Sequence, residues 1–313
     1  MAQQSNHSFA IIGTGALGGY YGALLAKSEL DVHFLARSDY QTIRQQGLQV
    51  DSIRGDFVVK PAQAYASVAD MPACDIVIVA LKSTQNHLLG KLLPPLLKND
   101  SVVLVLQNGL HVEAASELIA GRGRVMGGCC FLCSNKIGPG HIRHLDYGHI
   151  AMGAYLGEDG DSPIVPMAIQ QGIHQDFVKA GIRVELVEQL QYSRWKKLMW
   201  NIPFNGLSVV MNSSTNLVMN SPTARQLAID LMYETQAAAK ACGIAIDDKE
   251  IDQMISYTDS MVPYDSSMRL DFLAGRSMEI DAIVGRPLRE AIRFGYIPKK
   301  IEMLYQQLSF LQK

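Results

Sequence analysis

Up to about residue 186 the chain alternates short, nearly continuous apolar runs with stretches whose apolar residues recur at helical spacing. The runs fall at 8–13, 31–36, 75–80 (DIVIVA), 102–106 (VVLVL) and 125–132 (VMGGCCFL). They lack the alternation of strands wetted on one face, which predicts a parallel sheet covered by helices on both sides. The segment 137–153, IGPGHIRHLDYGHIAMG, differs. Its short alternating runs, separated by Gly-Pro-Gly and Tyr-Gly, predict an antiparallel hairpin. From about Glu188 onward the strand pattern stops, and 189–211, 222–242, 247–260, 267–283 and 299–311 predict helices. Ser221 and Pro222 read as the cap and first residue of one of them, and Gly243 as its stop.

Composition narrows the classes without naming one. With 313 residues, 48% hydrophobic and 19% charged, the chain has the make-up of a soluble two-domain protein. A formal net charge of -2 argues against a general binder of nucleic acid or anionic membrane, which needs a basic surplus. No apolar stretch is long enough for a bilayer, and MAQQSNHS lacks the start of a secretion signal, so a cytoplasmic protein is expected. The cysteines number five, and Cys129, Cys130 and Cys133 stand among small and apolar residues, where they read as buried hydrophobes rather than a redox pair. His141, His144 and His149 raise a metal site, but in a strand positions 141 and 144 point to opposite faces, and no metal is expected.

The stretch 9–39 carries the first chemistry. Gly13-Thr14-Gly15-Ala16-Leu17-Gly18 follows an apolar run and opens a helical pattern, the context a dinucleotide fingerprint requires. Gly13 makes the tight turn, Gly15 lets backbone approach a pyrophosphate, Gly18 lets the helix pack on the sheet, and free N–H groups at the helix start face the phosphates. The second run ends in Ala36-Arg37-Ser38, where an NAD site usually places a carboxylate for the ribose. A guanidinium there suits a 2'-phosphate, so the expected cofactor is NADP, with Arg37 as its reader. The alternative is that Arg37 is a solvated residue and Asp39 takes the ribose. The expected fold is thus α/β: a Rossmann-type dinucleotide-binding domain over 1–186, followed by an all-α domain over 187–313.

Further stretches come in order behind this turn: Ala80-Leu81-Lys82-Ser83-Thr84-Gln85, Gln107-Asn108-Gly109, Arg194-Trp195-Lys196-Lys197-Leu198-Met199-Trp200-Asn201, and Ser266-Ser267-Met268 followed by Glu279-Ile280-Asp281. In this combination the chain resembles the ketopantoate reductases, also called 2-dehydropantoate 2-reductases, over nearly its whole length. The resemblance implies NADPH-dependent reduction of ketopantoate to pantoate, on the route to pantothenate and coenzyme A. It places the family's general acid on Lys197 and its substrate-binding glutamate on Glu279. Asn201, Asn205 and Ser267 match polar substrate contacts, and Lys82 and Asn108 match positions between nicotinamide and substrate. Gln85, quoted with Lys82, falls on the cofactor side of the same motif.

The chemistry is consistent with those positions. Hydride delivery to a ketone builds negative charge on oxygen, which a lysine can meet as cation and as proton donor. On a helix Lys197 and Asn201 share a face and Asn205 lies one turn further, while Trp195, Leu198, Met199 and Trp200 offer apolar cover. The residues alone leave open that Lys196 and Lys197 are a solvated basic pair, and that Glu279 lies on an exposed helix face. Tyr264 stands where the family carries a substrate-holding asparagine, and Gly128-Cys129-Cys130 where small hydroxyl or apolar residues are expected. Both bear on which small 2-keto acid is reduced. Two other readings share the fold: a reductase of a different 2-keto acid, and a non-catalytic NADP-binding redox sensor reporting through its cysteines. The apolar helices of the second half suit a homodimer face and a monomer's own core equally.

Overall fold

The computed structural model describes residues 7–261 and 265–312. The chain divides into two compact units, one running to Gln107 and from Val112 to Leu190, the other made of Asn108–His111 and the chain from Gln191 onward. The first unit carries the strands β1 (Ser8–Ile12), β2 (Asp31–Leu35), β3 (Leu48–Ser52), β4 (Phe57–Val59), β5 (Gln63–Tyr65), β6 (Cys74–Val79), β7 (Leu97–Val105), β8 (Val125–Gly138), β9 (His141–Ala154) and β10 (Arg183–Leu186). Its helices are α1 (Ala16–Lys27), α2 (Tyr40–Gln46), α3 (Leu89–Leu92), α4 (Ala114–Ala120) and α5 (Met167–Lys179). The strands form one sheet in the order β4-β3-β9-β8-β7-β6-β1-β2-β5, with β10 alongside β9.

The central strands behave as their composition dictates. Phe9 to Ile12, Val77 to Val79 and Val103 to Leu106 are fully buried, which explains the continuous apolar runs. The outer part of the sheet adds antiparallel pairs to the expected parallel strands, the hairpin among them. The β8–β9 and β3–β4 pairs are antiparallel, so the sheet is mixed. The strands β3, β4, β5 and β10 carry no run long enough to register as a pattern: LQVDS, FVV, QAY and RVEL are short and partly polar.

The expected hairpin over 137–153 is real but larger. Its first arm is β8, beginning at Val125, and the chain reverses between Gly138 and His141, where Gly140 takes φ +63°. The Tyr-Gly pair is not a second turn. Tyr147 (φ 62°) and Gly148 (φ 110°) sit at an irregularity where the register passes from Phe131↔His149 to Leu132↔Tyr147, a bulge that keeps the strand running. The histidines of β9 have separate partners. The His141 ring bonds Asp51 at 2.8 Å, the His144 ring bonds Ser52 at 2.9 Å, and the His149 ring stacks on Phe131. Among the described residues no group of three His, Cys, Asp or Glu is placed to hold a metal.

The second unit is helical: α6 (Leu190–Val210, its first residue in the first unit), α7 (Thr215–Asn220), α8 (Pro222–Ala241), α9 (Asp248–Ser260), α10 (Ser267–Leu273), α11 (Arg286–Arg293) and α12 (Lys299–Leu311). Trp195, Leu198, Met199, Ile202 and Phe204 from α6 enter its core with Leu231, Met232, Ile283 and Leu304. The helix expected over 267–283 is broken: α10 ends at Leu273, Gly275 turns the chain at φ +62°, and winding resumes only at Ile280. It resumes as a π turn, Asp281–Gly285, that leads into α11. Pro222 starts α8 as expected, but the Ser221 side chain makes no capping bond. No helix among the described residues is long and apolar enough to cross a membrane.

One ion pair ties the starts of β1, β6 and β7. Asp75 accepts from Ser8 N and Oγ at 2.9 and 2.7 Å and pairs with Lys98 at 2.6 Å. Burial opposes ionisation, but Lys98 and Ser8 outweigh it and pull the carboxyl down to about 2. A carboxyl held below its unfolded value of about 4 stabilises the fold above that pH and loses the contribution as pH falls toward 2. With one third of the carboxylate exposed, Asp75→Asn is expected to cost about 1 kcal/mol in urea unfolding at pH 7, and progressively less from about pH 4 to 2. An unchanged difference across that window would refute the ion pair's role.

Candidate active site

The glycine turn has the geometry its spacing predicts. Gly13 sits at φ +102°, and a Cβ there would meet Leu81 N and Ala80 C at 2.6 and 2.7 Å. A Cβ on Gly18 would collide with Gly13 O and lie 2.8 Å from the Ala80 methyl, so α1 packs as closely as backbone permits. Gly15 faces open space, with nothing within 4 Å of an added Cβ, and it caps α1 without a side-chain bond. Ala16 and Leu17 begin the helix, whose first N–H groups have no acceptor within the helix. The Thr14 hydroxyl donates to Leu35 O at 3.0 Å, tying the turn to the end of β2.

Just past that end, Arg37 and Asp39 have opposite surroundings. Arg37 is exposed, its backbone is left-handed at φ 42°, and its side chain takes no hydrogen bond or ion pair among the described residues. Asp39 is 4% exposed. Its carboxylate accepts from Lys136 Nζ at 2.8 Å and Gly140 N at 2.9 Å, and these contacts hold it below the usual range against the opposing effect of burial. Asp39 is therefore spent on the β8–β9 hairpin.

Lys82 and Gln85 lie half-buried after β6, at the start of a tight turn over Ser83–Leu88. The preceding residues touch the glycine turn through Ala80 and Leu81. Gln107, to which no spacing in the sequence assigns a role, is 3% exposed and donates from Nε2 to Leu81 O at 2.9 Å and Asn86 Oδ1 at 2.6 Å. It fixes the loop that bears Lys82 and Gln85.

The next residue, Asn108, belongs to the second unit, where its Oδ1 accepts from Lys197 Nζ at 2.6 Å. Lys197 is half-buried on α6, flanked in sequence by buried Trp195, Leu198 and Met199. Trp200 is half-buried and donates to Thr258. Lys196 has a different place, paired with Glu250 at 2.7 Å. Asn201 and Asn205, at 6% and 3% exposure, follow on the same helix, and neither carboxamide bonds another described residue. Buried amides without internal partners are costly unless they serve a ligand.

Glu279 is half-buried just before the π turn, and Met278 beside it is buried. Of the two serines, Ser267 is exposed at the start of α10, whereas Ser266 is fully buried, bonds Ser208 at 2.7 Å and caps α10 by accepting from Arg269 N. Their spacing could not tell which serine is the cap. Tyr264 lies outside the described residues. Cys129, Cys130 and Cys133 are buried in β8, and none of the five cysteines is in a disulfide.

Residues 9–157 match the family model described as "Ketopantoate reductase PanE/ApbA", and 189–312 match its C-terminal counterpart. A 2-dehydropantoate 2-reductase from a Nostoc species is 52% identical over 307 residues, covering 98% of this chain and 96% of that one. The crystal structure of a 2-dehydropantoate 2-reductase from Geobacter metallireducens superposes with a TM-score of 0.91 at 39% identity, covering 97% and 99% of the two chains. The fold is also that of a D-mandelate dehydrogenase solved with NADH and anilino(oxo)acetate, at a TM-score of 0.87 and 21% identity over 97% and 98% of the chains. The matched segments cover most of each unit, and the chain belongs to the ketopantoate reductase family of oxidoreductases.

Proposed function

We propose that this chain reduces ketopantoate to pantoate with NADPH, with Lys197 as the proton donor. The observation that carries the reading is the 2.6 Å bond from Lys197 Nζ to Asn108 Oδ1, on a helix whose next two turns carry Asn201 and Asn205, whose carboxamides bond no other described residue. The residues of the first unit fit a dinucleotide phosphate: Gly15 opens onto space, α1 starts uncapped, and Asp39 is already committed where a ribose-binding carboxylate would compete. Gly13 to Gly18 would hold the pyrophosphate, Arg37 the 2'-phosphate, and Lys82 and Gln85 the loop side of the cofactor. When bound, NADPH supplies the hydride that the 2-keto carbon receives.

The chain's own groups manage the oxygen. As the carbonyl is reduced its oxygen becomes an alkoxide, and the Lys197 ammonium meets that charge and gives up a proton from Nζ. Asn108 Oδ1 accepts from the Lys197 amine at 2.6 Å and so fixes the direction of Nζ. Asn201 and Asn205 offer donors and acceptors to the carboxylate and hydroxyl of the keto acid, with Ser267 beside them in this role and Glu279 accepting from the substrate hydroxyl. Coenzyme A biosynthesis is the pathway such a product feeds.

Two measurements test the reading. Oxidation of NADPH at 340 nm is expected with ketopantoate, and far less with pyruvate, 2-ketoisovalerate or with NADH. Turnover confined to another keto acid would overturn the substrate assignment. Asn205→Ala is expected to raise the KM for ketopantoate by about tenfold, the worth of one or two buried hydrogen bonds, with the KM for NADPH unchanged. A rise confined to the NADPH KM would remove Asn205 from the substrate site.

A further inference from the structure

The π turn before α11 leaves one carbonyl without a helical donor. Arg286 N–H, which would serve Ala282 O in an α-helix, donates instead to Asp281 O, five residues back. The next residue, five beyond Ala282, is Pro287, which has no N–H. Both helical donors for Ala282 O are thereby removed, and Leu110 N–H takes the vacancy at 3.0 Å. The approach is close enough to require Gly109, at φ +113°, where a Cβ would stand 2.5 Å from Ala282 O. From the other side the Arg286 guanidinium donates from Nη1 to His111 O at 2.5 Å and Leu110 O at 3.4 Å, while its Nε faces Asp281 at 3.5 Å. The four residues Asn108–His111 are thus moored by backbone and by one arginine, and the first of them holds Lys197.

We infer that Arg286, with the carbonyl that Pro287 leaves open at Ala282, is a positioning residue for the reaction: it moors the Asn108–His111 strap so that Asn108 holds the Lys197 amine in place. The inference rests on Lys197 as proton donor. Arg286 acts through Asn108, so its loss misplaces Lys197 without touching substrate or cofactor.

Arg286→Met in the full chain is expected to lower kcat by about tenfold, with the KM for NADPH unchanged, because a misplaced proton donor costs rate rather than cofactor binding. Arg286→Lys, which keeps one donor and the charge, is expected to restore most of the rate. Hydrogen exchange at the Leu110 amide is expected to quicken in Arg286→Met and in Pro287→Ala, which returns a donor to Ala282 O. The deciding comparison is the cycle with Asn108→Ala: in that background Arg286→Met is expected to cost less than about twofold further. Fully additive losses, or Leu110 exchange unchanged in both variants, would overturn the proposal. If Arg286→Met does not fold, Arg286→Gln carries the same cycle and Pro287→Ala the exchange test. Lys197→Ala measured alongside separates the two ideas: normal turnover there would fail the proton-donor assignment itself, whereas exchange at Leu110 reports the mooring without any turnover.

Discussion

Lys197→Ala is expected to lower kcat for ketopantoate by about three orders of magnitude while leaving the Kd for NADPH unchanged. The size follows from two losses in one substitution. Removing a positioned acid costs roughly 10²–10⁴ in rate, and removing a cation at a developing alkoxide costs a comparable factor that overlaps with it. The cofactor term stays flat because the glycine turn and Arg37 belong to the other compact unit. Asn108→Ala should fall part of the way, since Lys197 keeps its charge but loses the acceptor at 2.6 Å that orients it. Lys196→Ala should leave kcat near normal, because that side chain is occupied by Glu250. Stopped-flow NADPH oxidation in single turnover, beside fluorescence titration of NADPH, separates the chemical step from binding. Normal single-turnover rates in Lys197→Ala would end the mechanism, and a raised Kd for NADPH would move Lys197 to the cofactor.

How far the sequence reveals such a site depends on the range of the contacts that build it. The glycine turn is local: six consecutive residues set the backbone, and the strand and helix beside them are long and strongly patterned. The positions of Gly13, Gly15 and Gly18 could be read before any coordinates. The helical register of α6 is equally local, so Lys197, Asn201 and Asn205 were legible as neighbours. The Asn108–Lys197 bond spans 89 positions, and no periodicity in either segment announces it. Nor could spacing show that Asn108 leaves the strand-bearing unit one residue after Gln107. The break after α10 was missed because apolar residues on both sides of Gly275 continue a helical period that the left-handed glycine interrupts. The π turn was hidden because a bond reaching back five residues, from Arg286 N–H to Asp281 O, leaves no mark in the helical spacing of the side chains. Ser266 and Ser267 differ in exposure because a cap sits at the helix boundary, where pattern is weakest.

Arg37→Asp is expected to move cofactor preference from NADPH toward NADH by at least about a hundredfold, in the ratio of kcat/KM values. Two terms add. The guanidinium loses its charge-assisted bonds to the 2'-phosphate, about 1.5–3 kcal/mol or roughly ten- to a hundredfold, and the new carboxylate repels that phosphate while offering NADH an acceptor for the ribose hydroxyl. Arg37→Ala isolates the first term and should weaken NADPH alone. The position favours this outcome for three reasons on the page. Arg37 is exposed and without a protein partner among the described residues, so its loss leaves nothing unsatisfied. Its left-handed φ of 42° is a conformation that a non-glycine residue adopts at a cost, and functional sites are where such costs persist. Asp39, two residues further along the chain, is 4% exposed and bound to Lys136 and Gly140, so it cannot take over when Arg37 is gone. Steady-state rates with both cofactors at fixed ketopantoate decide the matter. If Arg37→Ala kept the NADPH KM of the parent, the 2'-phosphate would have another reader. If Asp39→Asn instead raised the KM for NADH, the ribose would belong to that carboxylate, and its bonds to the hairpin would have to break when the cofactor binds.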